Sequence, residues 1–320
     1  MKHLTIKEAT DLLINGEVVA IPTETVYGLA ADARSDVAVS KIFEAKGRPS
    51  DNPLIVHIGD IAQVDSLATD VSKKARLLMD HFWPGPLTVI LSSAGIISEL
   101  VTAGLTTVGL RMPNHNIALK LLRKSDIPLA APSANVSGTP SPTRPVHVVQ
   151  DMKGRIAGVV DGGICDIGLE STVIDMTTDI PVILRPGSIT RAEIETVIGD
   201  VDSSDATSEK PKAPGMKYAH YSPTAKIFIV RGSLSFFRSI IQEHKWNGLK
   251  VGVLCHASSQ ILYKRAHIVL PLGKQGKNLY YSLREFDNQG ADVILSEDFG
   301  NEAVMNRLLK ASENRVISEN

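Results

Sequence analysis

Short apolar runs of strand length alternate with amphipathic helical segments throughout the first two hundred residues. Thr5 and Glu8 have the spacing of a capping box and begin a helix that Gly16 can end in a left-handed conformation. The run from Val18 to Ile21 that follows is long enough for one buried strand. Ser35 begins the next helical pattern, and the alternation continues. This interleaving predicts an α/β fold with a twisted, mixed sheet covered by helices.

A second α/β unit is predicted after a polar linker. Residues 201–224 are rich in Ser, Asp, Lys, Pro and Gly, a composition that cannot build a core. Beyond them the strand-sized runs KIFIV, KVGVL, HIVLPL and DVILS alternate again with helical segments. We therefore predict a first domain over residues 1–200, a linker over 201–224, and a smaller Rossmann-like α/β domain over 225–320.

Composition excludes several classes of protein. The 320 residues are 43% hydrophobic, enough for two buried cores. Lys and Arg total 34 against 35 Asp and Glu, so the chain lacks the positive charge of a dedicated nucleic-acid binder. The two cysteines, Cys165 and Cys255, have no metal-site spacing, and we predict no bound metal cluster. We find no signal-peptide core or membrane segment, and expect a cytoplasmic protein.

Five polar motifs each lie at the end of an apolar run. They are PTETVYGL from Pro22, KGRPSDNPL from Lys46, LRMP from Leu110, APSANVSG from Ala131 and ILRPGSI from Ile183. Because side chains at strand ends of an α/β protein converge on one crevice, we expect these motifs to line a single site for an anionic ligand.

Two motifs have the composition of phosphate-binding loops. In KGRPSDNPL, Lys46 and Arg48 can approach phosphate oxygens from different sides, or can form an exposed basic loop. In APSANVSG, Ser133 and Asn135 supply a hydroxyl and an amide, with Ser141 nearby, either for an anion or for a self-capped polar turn. Since the phosphate-loop and dinucleotide glycine fingerprints are absent, a nucleotide must be held in another way.

Three further side chains have two interpretations each. Arg111 at the end of TTVGLR either forms a structural ion pair or binds a substrate carboxylate, and Arg185 poses the same choice with phosphate as the ligand. His57 within LIVHI is either a satisfied core histidine or a catalytic group.

The candidate residues are cations and hydroxyls, and the sequence has no nucleophile elbow, metalloprotease helix or carboxylate pair. This combination indicates group transfer by positioning and electrostatic stabilisation.

The ordered motifs resemble the threonylcarbamoyl-AMP synthase family, in its two-domain form called Sua5. The set PTETVYGL, KGRPSDNPLIVHI, WPGPLTVIL, LRMPNH, APSANVSGTPSPT, GLESTVID and LRPGSI carries the resemblance through nearly all of the first domain. APGMKYAHYSP, from Ala213 to Pro223, resembles the family's connector, which crosses the active site. The resemblance implies a YrdC-like catalytic domain followed by a Sua5 C-terminal domain.

The resemblance also implies a reaction. L-Threonine, bicarbonate and ATP with Mg²⁺ give threonylcarbamoyl-AMP and pyrophosphate, which supplies the t6A modification at position 37 of tRNAs that decode ANN codons. Downstream tRNA threonylcarbamoyl transferase machinery would be the partner, with a weak tRNA contact. No residue stands out as general base, and we expect His57 to orient rather than abstract a proton.

Site residues follow from the resemblance motif by motif, with Lys46 and Arg48 as the catalytic pair on phosphate. The residues around L-threonine would be Thr25, His57, Arg111 (on the carboxylate), Ala131 (through its backbone) and Ser171. The ATP contacts would be Lys46, Arg48, Asn52, Thr107, Ser133, Asn135, Ser141, Arg185 and Tyr221.

Two other functions fit the sequence less well. A double-stranded RNA or tRNA-binding maturation module would show salt-sensitive tRNA retention without nucleotide turnover. A carbamoyl transferase such as a hydrogenase-maturation factor would carry zinc-finger cysteines and further domains.

Overall fold

The computed structural model describes residues 1–203 and 221–319, and these residues form two units. The first holds residues 1–137 and 141–203, and the second holds residues 138–140 and 221–319. Most of the predicted linker, residues 204–220, lies outside the described residues, so the structure does not address its predicted path across the active site. Within the described part of the chain, no helix is long and apolar enough to cross a bilayer.

The first unit contains short helices, and several of them begin at a side-chain cap. They are α1 (Ile6–Ile14), α2 (Asp36–Lys46), α3 (Val64–Leu67), α4 (Lys73–Phe82), α5 (Glu99–Thr102), α6 (Asn116–Ser125), α7 (Pro145–Met152) and α8 (Arg191–Ile198). The predicted capping box of α1 is confirmed: the Thr5 hydroxyl accepts from the Glu8 amide at 3.2 Å, and the Glu8 carboxylate accepts from the Thr5 amide at 2.9 Å. Ser35 caps α2 as predicted, because its side chain accepts from the Ala38 amide.

The strands of the first unit form one mixed sheet. They are β1 (Lys2–His3), β2 (Val19–Ile21), β3 (Gly28–Asp32), β4 (Ile55–His57), β5 (Ala68–Thr69), β6 (Leu87–Ser93), β7 (Thr107–Arg111), β8 (Leu129–Ala130), β9 (Gly158–Val159), β10 (Thr172–Asp175), β11 (Val182–Arg185) and β12 (Asp202–Ser203). Their order is β1-β9-β2-β3-β8-β4-β7-β6-β10-β11-β12, with β5 against β6. Strands β10 and β11 pair as an antiparallel hairpin.

The packing of the two faces of the sheet differs between β2 and β7. On β2, Ala20 belongs to the main core, whereas Val19 and Ile21 belong to a second core on the opposite face, so both faces are packed. On β7, Val108 and Leu110 belong to the main core, and the alternate positions point the other way. The opposite face of the sheet around β7 is therefore the place where polar side chains can collect.

The second unit is a parallel sheet with helices between its strands, which confirms the predicted Rossmann-like class. Its strands are β13 (Lys226–Arg231), β14 (Val251–His256), β15 (Ile268–Leu272), β16 (Val293–Glu297) and β17 (Val316–Ser318), and its helices are α9 (Leu234–Trp246), α10 (Leu279–Asn288) and α11 (Glu302–Ala311). The strand order is β15-β14-β16-β13-β17. The short C-terminal strand β17 was not predicted; its residues include polar Ser318, and the chain reaches β13 only through tertiary pairing.

Candidate active site

Polar side chains collect on one face of the first unit's sheet, opposite the main core. Thr107, Gly109 and Arg111 occupy this face on β7, because they alternate with the core residues of that strand. His57 is the register partner of Arg111 on the neighbouring parallel strand β4. Thr88 of β6 shares the face, since its methyl group lies 3.4 Å from where a Cβ on Gly109 would be.

The five motifs do not all lie at one edge of the sheet, because the sheet is mixed, and their meeting in a single site stays a prediction. Strands β4, β7 and β11 run in one direction, so His57, Arg111 and Arg185 lie at one edge. Strands β2 and β8 run the opposite way, so the PTET and APSAN loops begin at the other edge. Contacts across the sheet face, rather than a shared edge, connect the two sets.

Arg111 and Glu24 make such a contact. Nη2 of Arg111 lies 2.8 Å from Oε1 of Glu24, and the two side chains are 4% and 5% exposed. Nε of Arg111 also donates to the Gly85 carbonyl at 3.3 Å. The Arg111 side chain is thus a buried ion-pair member, and with five N–H donors it can also bind a ligand.

His57 is buried next to this ion pair. Its pKa is lowered to about 3, first by burial and then by the positive charge of Arg111, so the imidazole is neutral at physiological pH. Among the described residues, its Nδ1 has no hydrogen-bond partner. A neutral ring with an unused nitrogen can form a hydrogen bond with the hydroxyl group of a ligand. With so low a pKa, it is a poor acceptor for a proton.

The PTET segment is a turn rather than a continuation of β2. The strand ends at Ile21, and the Thr23 hydroxyl donates to the Val26 carbonyl at 2.6 Å. The Thr25 hydroxyl lies 2.9 Å from the Thr23 hydroxyl, so Thr25 is the donor of that pair. This turn presents Glu24 to Arg111 and leaves the Thr25 oxygen with acceptor capacity.

Ser171 is held from two sides. Nε and Nη2 of Arg185 donate to the Ser171 carbonyl at 3.1 and 3.0 Å, and Nη2 also contacts the Ser171 hydroxyl at 3.1 Å. The Thr88 hydroxyl lies 2.7 Å from the Ser171 hydroxyl. A Cβ on Gly187 would lie 2.3 Å from the Thr172 amide nitrogen, so the backbone approaches here at a distance that requires glycine.

Lys46 is joined to the APSAN loop. Its ammonium donates to the Ser133 carbonyl and, at 2.8 Å, to the Asn135 carbonyl. Burial, followed by the charge of Arg48, lowers the pKa of Lys46 to about 7. Two of its three donors therefore hold the loop, and its charge is easily lost unless an anion is nearby.

The other predicted ATP residues of the first unit lie in short polar contacts. Arg48 donates to the Asn52 carbonyl at 3.0 Å, and the Ser141 hydroxyl donates to Glu170 at 2.6 Å. Thr107 begins β7, at the edge of the sheet where the parallel strand β4 also begins. The Ala131 amide donates to Ile55, so its backbone carbonyl is the group that can face a ligand.

Tyr221, also predicted to contact ATP, belongs to the second unit. Its ring centroid lies 5.2 Å from that of Tyr280, and its side chain is buried. The residues before it, 204–220, lie outside the described part of the chain.

Sequence reasoning missed Glu24, Thr88 and Glu170. Glu24 is the acidic residue of PTETVYG and stands between two threonines, which is the signal that could have drawn attention to it. Thr88 lies inside an apolar run, and Glu170 lies in a loop, so their contacts to Ser171 and Ser141 depend on tertiary packing.

Two family models match the chain. The model described as "Telomere recombination" (Sua5, YciO and YrdC) matches residues 11–187, and the model described as "Threonylcarbamoyl-AMP synthase, C-terminal domain" matches residues 189–313. The curated threonylcarbamoyl-AMP synthase of Bacillus subtilis is 51% identical, over 98% of this chain and 94% of its own. That of Pyrococcus abyssi is 47% identical, over 98% and 95%.

Solved structures resemble the whole chain as well. The P. abyssi Sua5 structure complexed with L-threonine has a TM-score of 0.94 and 46% identity, and the match covers 98% of this chain and 96% of that one. Escherichia coli YciO, at 24% identity and a TM-score of 0.51 over 57% of this chain, shares the fold.

Proposed function

This chain belongs to the two-domain Sua5 family of threonylcarbamoyl-AMP synthases, and we propose that its first unit is the catalytic unit. It is a nucleotidyltransferase-type enzyme that forms threonylcarbamoyl-AMP. We assign to it the condensation of L-threonine, bicarbonate and ATP, with pyrophosphate as the second product. The alternative of an RNA-binding module receives no support from relatives whose names describe a synthase.

The observation that carries this proposal is the buried face formed by Arg111, His57 and Ser171, in a chain similar to a threonine-bound relative. We assign the amino-acid carboxylate to Arg111, since a guanidinium binds a carboxylate with parallel hydrogen bonds. The neutral His57 ring faces the side-chain hydroxyl, and Thr25 with the Ala131 backbone completes the subsite.

ATP would lie toward the loops at the other edge. We assign its phosphates to Lys46 and Arg48, and to Arg185 from the opposite side. Ser133, Asn135, Ser141, Asn52 and Thr107 supply the neutral polar contacts. Phosphate would hold Lys46 in its charged form, because a neighbouring anion raises a lysine pKa that burial has lowered.

The reaction needs positioning and charge stabilisation. The threonine amine bonds to the carbon of bicarbonate to form a carbamate, and a carbamate oxygen then attacks the α-phosphorus of ATP as pyrophosphate leaves. Fixed cations beside the departing phosphates stabilise the charge that develops on them. Holding three anions together is the task that Lys46, Arg48 and Arg185 would share.

Magnesium and the further partners belong to this proposal as well. Within residues 1–203 and 221–319, no group of three His, Cys, Asp or Glu side chains is placed to hold a metal ion. We therefore propose that Mg²⁺ enters on the phosphates of ATP, as part of the substrate. The product would pass to tRNA threonylcarbamoyl transferase machinery.

A product assay tests the proposal. Purified protein is incubated with Mg²⁺, ATP, bicarbonate and L-threonine, and the adenylate is detected by mass spectrometry while pyrophosphate is quantified. We expect both products in equal amounts, dependent on threonine and bicarbonate, and far less product with L-serine. Folded, ATP-binding protein that forms no adenylate would refute the assignment.

A further inference from the structure

Glu24 is a buried carboxylate with an unusual lack of hydrogen bonds. It is 4% exposed, and among the described residues neither of its oxygens accepts a hydrogen bond. Its contact with Arg111 at 2.8 Å is an ion pair in which the N–H is not directed at the oxygen. Asp175, another buried carboxylate of this unit, accepts from both the amide and the hydroxyl of Thr177. Buried carboxylates normally find such donors, so the unused oxygens of Glu24 indicate a ligand.

The groups around Glu24 do not supply a second positive charge. Burial lowers the pKa of His115 although Glu24 opposes that shift, so this ring is neutral at physiological pH. Burial and then the charge of Glu24 raise the pKa of the Cys165 thiol to about 12, so it is neutral as well. Asp166 adds a negative charge to the same surroundings. Arg111 is thus the positive partner of Glu24 within the described residues.

Charge balance defines what can bind beside this pair. If a ligand carboxylate alone joined Arg111, two carboxylates would share one guanidinium in a buried site, which is costly. An α-amino acid avoids this cost, because its carboxylate can lie on Arg111 while its ammonium lies on Glu24. The four charges then alternate in sign and sum to zero.

We propose that Glu24 binds the α-ammonium of the amino-acid substrate and takes up the proton that must leave before the amine can react. The proposal rests on the threonylcarbamoyl-AMP synthase function and supplies the proton acceptor that the sequence did not reveal. The two other candidates are less suited: His57 has a pKa of about 3, and Lys46 is bonded to the carbonyls of Ser133 and Asn135.

The proposed step balances as follows. An N–H bond of the ammonium breaks and its proton moves to a carboxylate oxygen of Glu24, which leaves a neutral amine and a carboxylic acid. The amine nitrogen bonds to the carbon of bicarbonate, the carbon–hydroxyl bond breaks, and a second N–H proton leaves with the hydroxide as water. Glu24 then returns its proton to solvent, so one proton is released for each carbamate formed.

The test compares Glu24→Gln and Glu24→Asp with the wild type and with a matched control, Asp175→Asn. Gln keeps the size and an acceptor oxygen but cannot take up a proton, and Asp175 is buried in the same unit without a role in the site. Rates of pyrophosphate and adenylate formation are measured against threonine concentration from pH 6.5 to 9.5. Calorimetry measures the binding of L-threonine and of 2,3-dihydroxybutanoate, in which a hydroxyl replaces the ammonium.

We expect kcat of the Gln variant to fall by roughly 10²–10⁴-fold at neutral pH, the range for loss of an acid–base group. The deficit should shrink about tenfold per pH unit at pH values below the pKa of the free amine, because rising pH deprotonates that amine without help. The Gln variant should bind threonine more weakly and dihydroxybutanoate as the wild type does, while the Asp variant is intermediate and the control is unchanged.

Three results would overturn the proposal. They are a pH-independent loss of kcat, a rise in KM alone, and unchanged preference of the Gln variant for threonine over dihydroxybutanoate. A wild-type enzyme that makes no adenylate would refute the proposed function instead, and the binding comparison would still decide whether Glu24 recognises an ammonium. If the Gln variant does not fold, the Asp variant tests the position of the carboxylate, and a kcat and threonine affinity equal to those of the wild type would overturn the proposal.

Discussion

Replacing Arg111 by Met should destabilise the first unit strongly, because it leaves Glu24 charged and unpaired inside the protein. Two unit charges 2.8 Å apart attract by about 6 kcal/mol at an effective dielectric constant of about 20. Much of that attraction offsets desolvation, and removing one partner of a buried pair costs about 3–5 kcal/mol. Since a domain is stable by only about 5–15 kcal/mol, this is a large fraction of the total.

A second substitution separates this charge effect from lost packing. Glu24→Gln in the Arg111→Met background removes the unpaired charge, so the double variant should be more stable than Arg111→Met alone. We expect a coupling free energy of at least about 2 kcal/mol between the two positions. Arg34→Met is the control, because Arg34 pairs with Asp32 at the surface and should cost no more than about 1 kcal/mol.

Urea unfolding followed by tryptophan fluorescence measures these changes. Trp83 is 7% exposed in the first unit and donates to the Leu87 carbonyl at 2.7 Å, so its emission reports on that unit. Trp246, which is 92% exposed in the second unit, is replaced by Phe in every variant. A loss below about 1 kcal/mol for Arg111→Met would refute the reasoning, and so would additive effects of the two substitutions.

Three further predictions concern single residues. His57→Asn should raise KM for threonine by roughly tenfold or less, the cost of one neutral hydrogen bond, and should leave the pH–rate profile unchanged because the ring is already neutral; a lost acidic limb would contradict this. The pKa of Lys46 is about 7 in the folded protein and 10.5 in the reference state, so the folded state binds fewer protons between these values and the free energy of unfolding should rise with pH across that interval. Lys46→Met should remove this rise in urea titrations at pH 7 and 9, and an unaltered slope would exclude the assignment. Gly187→Ala should weaken threonine binding in calorimetry, because its Cβ would lie 2.3 Å from the Thr172 nitrogen and 2.7 Å from the Ser171 carbonyl carbon, and unchanged affinity would show that Ser171 does not touch the substrate.

Local patterns were sufficient for most helices and strands. The capping box at Thr5 and the cap at Ser35 begin helices as predicted, because a capping side chain bonds to amides within three residues of itself. Apolar runs predicted strands in both units, such as β2 and β13. The family could be recognised from the order of the motifs along the chain, and this order does not depend on tertiary structure.

Strand direction limited what could be said about the site. His57, Arg111 and Arg185 lie at one edge of the sheet because their strands run the same way. The PTET and APSAN loops begin at the other edge, which the sequence could not show because an apolar run has no direction relative to its neighbours until it pairs.

The sequence alone determined which residue types are present, which segments alternate between core and solvent, and which family the chain resembles. The partners of the charged groups became defined only by folding: Lys46 donates to the carbonyls of Ser133 and Asn135, and Arg111 pairs with Glu24. A buried charge needs a partner because packing removes the water around it. The groups that are then within reach come from segments that are distant in the sequence. For the same reason, the role that we propose for Glu24 as a proton acceptor depends on its buried surroundings beside Arg111 and not on its place in the motif.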